Sequence, residues 1–516
     1  MIFRYHLSLI LVPSLVNKDF VFAFPSFRVV LNRTGSKTKI LCQPHKARTI
    51  SEEQSILSEF TFGEQYTEKG LLPKWLTDRC EVCGWIRPTV VQERAMDAIF
   101  SGDDIVLHAQ TGSGKTLAYL LPLLSRINAD RAAVQAVIVV PTRELGLQVA
   151  RVAKRLAAGS SSANEARGKI MVMSVLQGST NKRQRAWAWA EPPHLVIGTP
   201  DELGKMVSKG GFRYNAVEFV VVDEVDACLG KRETSNELHM LLSRYLSPTY
   251  SESEEGGALS ESSASNLLED NRIVSYRKDR QTIFASATIP QHNHFMKQCV
   301  QQQWTVREPL HVQVTPGELI PPSIDHSYVV CSSMGSKLGG LKRLLAREAE
   351  KGKLSRALIF ADEFRPIEEF AVAISNELNG IVWKEMYNLA DADLNQPIIS
   401  VLRLEDSLSA RAAAMDVFQA EQEVDESHIR VLLSTDLAAR GLDVAGVSHV
   451  INFDLPSEGD TYVHRGGRTG RLGRPGTVVS IITTDQEFVL ERLANQLKVN
   501  LRCVARQQQK KRKRPI

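Results

Sequence analysis

The sequence predicts an α/β protein made of two tandem doubly wound parallel-sheet domains, helices on both faces of each sheet, joined by a short linker. Three observations carry that expectation. Short β-rich apolar runs alternate with amphipathic helical stretches along most of the chain. At 516 residues the chain is longer than one ordinary core accommodates. A Gly-rich turn stands between the first of those runs and the helical stretch after it, where a parallel sheet places ligand sites.

The elements follow in order. Residues 1–50 hold eight Lys/Arg and one acid, Asp19, with hydroxyl residues and no core pattern, which predicts a transit peptide for organelle import. The apolar stretch Leu7–Val12 makes a secretory signal the competing reading. Between about 60 and 310 the runs Ile105–Leu107, Ala136–Val140, Leu195–Ile197, Phe219–Val222 and Thr282–Phe284 are expected strands of the first domain. Residues 248–270 interrupt it with six Ser, six Asp/Glu and no Lys/Arg, the composition of a solvated, disordered insert. The stretch from Thr315-Pro316-Gly317 to Pro322 reads as the linker. A second domain over 318–500 resumes the alternation with Ala357–Phe360, Ile429–Leu433, Val447–Ile451 and Thr477–Ile482, and 502–516 is a basic tail ending in Lys510-Lys511-Arg512-Lys513-Arg514.

Charge and cysteine usage narrow the class. The chain holds 63 Lys+Arg and 59 Asp+Glu, yet residues 51–501 alone carry 48 basic and 58 acidic residues, so the body is acidic between basic ends. Any grip on a polyanion must come from local clusters or from the tail. No apolar run approaches the roughly 18 residues of a membrane span, so no membrane partner is expected, and a monomer is. Cys80 and Cys83 form a lone C-x-x-C with no second pair, which points to structural thiols in a reducing compartment.

Ala109-Gln110-Thr111-Gly112-Ser113-Gly114-Lys115-Thr116 carries the chemistry of the first domain. Backbone N–H groups at a Gly-rich turn and a helix N-terminus form an anion cradle. Lys115 can reach the β- and γ-phosphates of a nucleoside triphosphate, and Thr116 can ligate Mg²⁺. Ala109 stands where the pattern usually has its first glycine, a difference of one methyl group. Phe219-Val220-Val221-Val222-Asp223-Glu224-Val225-Asp226 is a buried strand ending in carboxylates, which places acids in the ligand crevice. Asp223 can hold Mg²⁺ and Glu224 can polarise the attacking water.

With these two motifs in place, the chain resembles a DEAD-box ATP-dependent RNA helicase of superfamily 2, of the organelle-targeted plant type, over about residues 60–485. The resemblance implies two RecA-like domains. Gly84-Trp85-Ile86-Arg87-Pro88-Thr89-Val90-Val91-Gln92 matches the adenine-reading motif, with Gln92 on the base and Tyr66 the nearest upstream aromatic to stack on it. Asp443, in Ser434-Thr435-Asp436-Leu437-Ala438-Ala439-Arg440-Gly441-Leu442-Asp443-Val444, would touch the ATP ribose. His464-Arg465-Gly466-Gly467-Arg468-Thr469-Gly470-Arg471 would supply arginine fingers, Arg468 and Arg471, to the γ-phosphate. Ser286-Ala287-Thr288 would couple back to the acidic strand end at Asp226, with His464.

On the RNA side the resemblance implies Arg143 in Pro141-Thr142-Arg143-Glu144-Leu145, Gly178, Thr199, Arg411 and Thr435. Two positions depart from the family pattern. Glu202 stands where an arginine is usual, and Leu408 where a glutamine partners Arg411. An acid beside a phosphate repels it, so the ATP set is complete while the RNA set is altered. The expected activity is ATP-dependent separation of short RNA duplexes or remodelling of RNA–protein complexes. An ATP-gated RNA clamp, a DNA-directed motor and an ordinary phosphate-loop kinase are the rival classes. Expected partners are RNA, through nonspecific backbone contacts, and ribonucleoproteins. The expected compartment is the chloroplast, with the mitochondrion as alternative.

Overall fold

The structure is a computed structural model. It describes residues 57–506 apart from 160–168, 177–185, 187, 212, 231, 248, 252–273, 277–279, 290–291, 315–319, 379–380, 383–396, 404, 420–428 and 437–445, together with the backbone of three N-terminal strands. Those strands, Val21–Phe24, Phe27–Thr34 and Lys37–Pro44, pair antiparallel within a separate unit, residues 1–55.

Two all-parallel sheets organise the rest. In the first, seven strands lie in the order Leu310–Gln313, Ile105–His108, Gln281–Ser286, Phe219–Asp223, Ala136–Val139, Leu195–Gly198, Val172–Val175. The second has eight: Ile381–Val382, Ile398–Leu402, Arg430–Ser434, Arg356–Phe360, His449–Asn452, Gly476–Thr483, Ile324–Cys331, Leu501–Arg506. Both sheets have the double covering that the apolar runs predict. Along Ile105–Leu107 the first and third side chains pack into one core cluster and Val106 into the other. Ala357 and Ile359 likewise alternate with Leu358 and Phe360. A strand buried on both faces needs no polar alternation, which is why these segments read as continuous apolar runs.

All nine runs expected as strands are strands, shifted by at most two residues at either end. The edge strands are less legible. Leu310–Gln313 and Leu501–Arg506 have mixed or exposed faces. Residues 502–506, assigned by charge to the tail, complete the second sheet beside Ile324–Cys331. Residues 507–516 lie outside the described residues, as do the linker core 315–319 and most of the acidic insert. Thr249–Ser251, inside the bounds of the insert expected to lack structure, forms a strand that pairs antiparallel with Val274–Tyr276 beyond them.

Register decides what the carboxyl ends present. Ala285 pairs with Asp223, and Ser286 pairs with His108 one residue before Ala109. The Gly-rich turn, the acidic strand end and Ser286-Ala287-Thr288 therefore leave three adjacent strands at one edge. That edge is the crevice of an open α/β sheet.

Candidate nucleotide site at the seam of the two lobes

The turn after Ile105–His108 closes on glycines in left-handed conformations. Gly112 has φ +75° and Gly114, which caps the helix Lys115–Arg126, has φ +96°. Both values are strained for any residue with a Cβ. Lys115 is only 6% exposed, and its Nζ donates to the carbonyls of Ala109 (2.9 Å) and Gln110 (3.2 Å). Its ammonium thus lies curled inside the loop, with a third N–H still to direct. Ser113 Oγ donates to Gln110 O at 2.7 Å, which tightens the same turn.

Gln92 ties this loop to the preceding helix. Thr89 and Gln92 form a capping box at the start of Val90–Phe100, in which Thr89 N–H donates to Gln92 Oε1 at 2.9 Å. Gln92 Nε2 donates to Gly114 O at 3.2 Å, and Thr89 Oγ1 donates to Ser113 O at 2.9 Å. The expected adenine reader is therefore also a clamp on the phosphate loop. Each end of its amide retains one further hydrogen-bonding position.

Tyr66 does not stand at this site. It is fully buried, its ring centroid lies 6.0 Å from that of Phe100, and its hydroxyl donates to Glu93 O at 3.4 Å. Burial holds its phenol well above the ordinary range. Sequence proximity suggests it, and an apolar core position claims it. Phe60 escapes a reading by motif. Ser58 N–H donates to Pro88 O at 2.8 Å and Phe62 N–H to Ile86 O at 3.1 Å, so this segment runs beside the Gln92 turn with Phe60 57% exposed.

The acidic strand end combines burial with strain. Asp223 is 3% exposed, and its Oδ2 accepts from the Tyr119 phenol O–H at 2.7 Å. Burial and then the neighbouring Glu224 carboxylate raise the Asp223 pKa, against the pull of Lys115 and Tyr119. Tyr119 is not part of either motif; its only signal is its place one turn after Lys115 on an apolar helix. Glu224 has φ +49°, a left-handed conformation that costs a non-glycine residue about 1–3 kcal/mol. Its N–H donates to Asp223 Oδ1 at 3.0 Å, and its buried Oε2 accepts no hydrogen bond among the described residues.

That donor set fits a divalent cation with a nucleotide. Two adjacent carboxylates and the Thr116 hydroxyl gather around Tyr119, with Lys115 as the nearby positive side chain. Burial makes ionising Asp223 more costly than usual, and a bound cation would offset that cost.

Asp226 is the hub between the lobes. Its Oδ1 accepts from Ser286 Oγ at 2.6 Å, and its Oδ2 accepts from Thr288 Oγ1 at 2.5 Å and from His464 Nε2 at 2.8 Å. Burial would raise its pKa, but the bond and charge of His464 and the two hydroxyls hold it well below the ordinary carboxylate range. Burial likewise opposes the charge on His464, yet Asp226 and then Glu224 raise its pKa above 6.5. The four residues assigned to coupling are thus brought into one hydrogen-bonded cluster.

The backbones meet just as closely. A Cβ at Gly467 would collide with the Thr111 side chain, and one at Gly112 would lie 2.8 Å from Arg471 Cγ. Arg471 Nε donates to Gly467 O at 3.2 Å, and Arg468, 8% exposed, donates from Nε to His464 O at 3.3 Å. Both arginines therefore sit at the seam against the phosphate-loop lobe. Arg465, between them and His464 in sequence, serves a different end. It makes a two-pronged bond to Asp436 (2.6 and 2.7 Å) that fixes its helix to the strand end at Thr435. Asp443 lies outside the described residues.

The residues assigned to RNA are less uniform. Arg143 opens the helix Arg143–Ala157, Thr199 caps Pro200–Ser208, and Thr435 directly follows Arg430–Ser434. Gly178 lies outside the described residues. Arg411 is held inward. It is 5% exposed, bonded from Nη1 to Arg403 O at 2.7 Å, and its Nε lies 3.2 Å from Glu144 Oε1 across the seam. A guanidinium buried this far needs a counter-charge, and the Glu144 carboxylate supplies one as an ion pair. Glu202 is 6% exposed and lies 3.4 Å from Lys205 Nζ, so its charge is met within its own helix. Leu408 begins the helix Leu408–Gln419.

Comparison with known proteins agrees with this geometry. Residues 89–295 match the DEAD/DEAH box helicase family and residues 337–473 the helicase conserved C-terminal domain. DEAD-box ATP-dependent RNA helicase 58, chloroplastic, of Oryza sativa subsp. japonica is 36% identical over 83% of this chain and 86% of its own. Its Arabidopsis thaliana counterpart is also 36% identical, over 90% of each. Among solved structures, the DEAD-box helicase Mss116 bound to single-stranded RNA and UDP-BeF superposes with a TM-score of 0.67 at 22% identity, covering 88% of this chain and 81% of that one. S. cerevisiae Dbp5 bound to RNA and ADP BeF3 gives 0.63 at 21%, covering 85% and 95%. With a phosphate loop, an acidic strand end and a second-lobe arginine pair meeting at one seam, and relatives matched over most of their length, this chain belongs to the DEAD-box ATP-dependent RNA helicases.

Proposed function

We propose that the chain hydrolyses ATP in an RNA-stimulated way and uses lobe closure to separate short RNA duplexes locally. The observation that carries this reading is the Asp226 hub, where both strand ends of the first lobe and His464 of the second share one carboxylate. Lys115 and the Gly112–Gly114 amides hold the phosphates, Gln92 reads adenine, Phe60 stacks beside it, and Asp443 meets the ribose. Mg²⁺, held by Thr116 and Asp223, would neutralise charge on the phosphate oxygens. Glu224 orients the water that attacks the γ-phosphorus and accepts its proton. Arg468 and Arg471 stabilise the charge that spreads over the transferring group. Hydrolysis thus requires both lobes, and RNA bridging Arg143, Gly178 and Thr199 on one lobe with Thr435 on the other favours the same closed state. Two ligands that favour one state must couple reciprocally.

Three further points belong to this reading. The chloroplast is the expected compartment, supported by the basic N-terminal segment and by the names of the rice and Arabidopsis relatives. The protein acts as a monomer, and ribonucleoproteins are among its substrates. Arg411 joins the RNA set by exchanging Glu144 for phosphate. The test is steady-state ATPase with and without single-stranded RNA or DNA, beside displacement of a short labelled RNA strand. Stimulation by RNA over DNA with ATP-dependent displacement is expected. RNA-stimulated turnover without displacement would instead describe a clamp.

The hub also sets a pH dependence. The raised pKa of His464 means the charged bond is complete below 6.5 and is lost as pH rises through the higher value of the closed protein. The depressed pKa of Asp226 keeps the bond intact above 3.8 and down into more acidic solution. Wild-type RNA-stimulated kcat should therefore fall as pH rises through that value, above 6.5. In His464→Gln, which keeps a neutral donor, that limb should flatten, and matching profiles for the two proteins would remove His464 from the coupling.

A further inference from the structure

Phe364 is 95% exposed, the most exposed large apolar side chain among the described residues. It stands in the loop after Arg356–Phe360, and that loop is rigidly built on both sides of it. Asp362 Oδ1 accepts from Phe364 N–H at 2.9 Å, and Asp362 N–H donates to Asp454 Oδ2 at 3.1 Å. Arg365 grips the same Asp454 with Nε (2.7 Å) and Nη2 (2.8 Å). Its guanidinium lies over the rings of Phe370 (4.9 Å) and Phe453 (5.4 Å). The buried Lys337 lies 3.9 Å from the same Asp454. These anchors hold the Phe364 N–H and its neighbours, and leave its ring facing solvent.

The sheet gives that ring an address. Phe360 pairs with Ser434, and Ala361 N–H donates to Ser434 O at 3.0 Å. Thr435 follows Ser434 directly, so the loops bearing Phe364 and Thr435 leave adjacent parallel strands at one carboxyl edge. Leu402 pairs with the same Ser434 from the far side, bringing Arg403 to that edge.

We propose that Phe364 is a stacking platform for a base of the RNA strand held along the second lobe. The inference rests on the helicase reading above and deepens it, because it assigns a contact to the nucleobase rather than to the backbone. Every base has a π-face, so such a contact is tolerant of sequence. The surrounding chemistry favours a base over other occupants. Asp362 and Glu363, both exposed, repel phosphate, which leaves the flat uncharged face of a base as the matching group. A protein partner would need a contiguous apolar patch of several hundred Å², whereas the flanking residues here are charged. The anchored backbone around the ring also loses little freedom on binding.

The test uses the full chain with Mg²⁺ and a non-hydrolysable ATP analogue, and follows anisotropy of labelled oligoadenylate carrying one abasic site walked along the strand. In the wild type one position should weaken binding about tenfold, within the range for loss of a single aromatic–base stack. In Phe364→Ala that position should lose its effect, Phe364→Leu should behave as the alanine variant, and Phe364→Trp should restore it. Thermal midpoints of all three should match wild type, since the ring is solvent-facing. Wild-type binding that is indifferent to every abasic site, or a Phe364→Ala loss equal on intact and abasic strands, overturns the stacking proposal alone. Failure of the wild type to bind any of these RNAs with the analogue present overturns the helicase reading along with it.

Discussion

Glu224→Gln should abolish ATP turnover, by about 10²–10⁴-fold in kcat, while leaving ATP affinity near that of the wild type. The substitution preserves size and the left-handed backbone at φ +49°, so the local shape should survive. It removes the negative charge and the capacity to take a proton from water. Glu224 Oε2 is buried and accepts no hydrogen bond among the described residues, so the wild-type carboxylate has a lone pair to offer an attacking water. The variant also relieves repulsion on Asp223, whose pKa the Glu224 charge raises, while it removes one of the attractions that favour charged His464. Binding of nucleotide should therefore be at least as tight as in the wild type. Fluorescent ATP-analogue titration beside single-turnover hydrolysis checks both halves. Hydrolysis at the wild-type rate would remove Glu224 from the chemistry.

The second large effect lies across the seam. Arg468→Lys should reduce RNA-stimulated kcat by about 10³-fold or more, toward the loss seen when an arginine finger is removed. A lysine keeps the charge, but its point-like ammonium cannot fork between phosphate oxygens as a planar guanidinium does. Arg468 is 8% exposed and tethered through Nε to His464 O, so its head group is already held at the interface. Little of its effect should appear in the KM for ATP, since the first lobe supplies the ground-state phosphate contacts. A loss confined to KM would mark Arg468 as an ordinary binding residue.

How much of this is legible in the sequence depends on what fixes each residue. The phosphate loop, the acidic strand and Ser286-Ala287-Thr288 are short contiguous patterns, and the parallel register that joins Ala285 to Asp223 brings them together without further information. Buried strands stand out as apolar runs because both faces are covered. Edge strands do not, and Leu501–Arg506 is hidden by Arg502 and Arg506 and by exposed faces that suit a half-covered edge. Tyr66 illustrates the limit of proximity: only packing distinguishes a ring that fills a core from one, like Phe60, left beside the site.

Pairing across the lobes is the least readable part. Nothing in the spacing of Glu144 and Arg411 couples them, since their encounter at 3.2 Å depends on how two separately folded sheets dock. Tyr119 and Asp223 meet for a different reason, because the helix leaving the phosphate loop reaches past the adjacent strand Gln281–Ser286 to the end of the next one. Phe364 carries no pattern at all in the sequence. Its exposure becomes visible only through the anchors on Asp362 and Arg365.

The most direct measurement is a crystal structure of the full chain with RNA, Mg²⁺ and ADP plus beryllium fluoride as the terminal-phosphate mimic. The guanidinium groups of Arg468 and Arg471 should then lie within hydrogen-bonding distance of that mimic, opposite Lys115 and Glu224. A terminal phosphate contacted solely by residues of the first lobe, with both arginines turned away, would contradict a shared site.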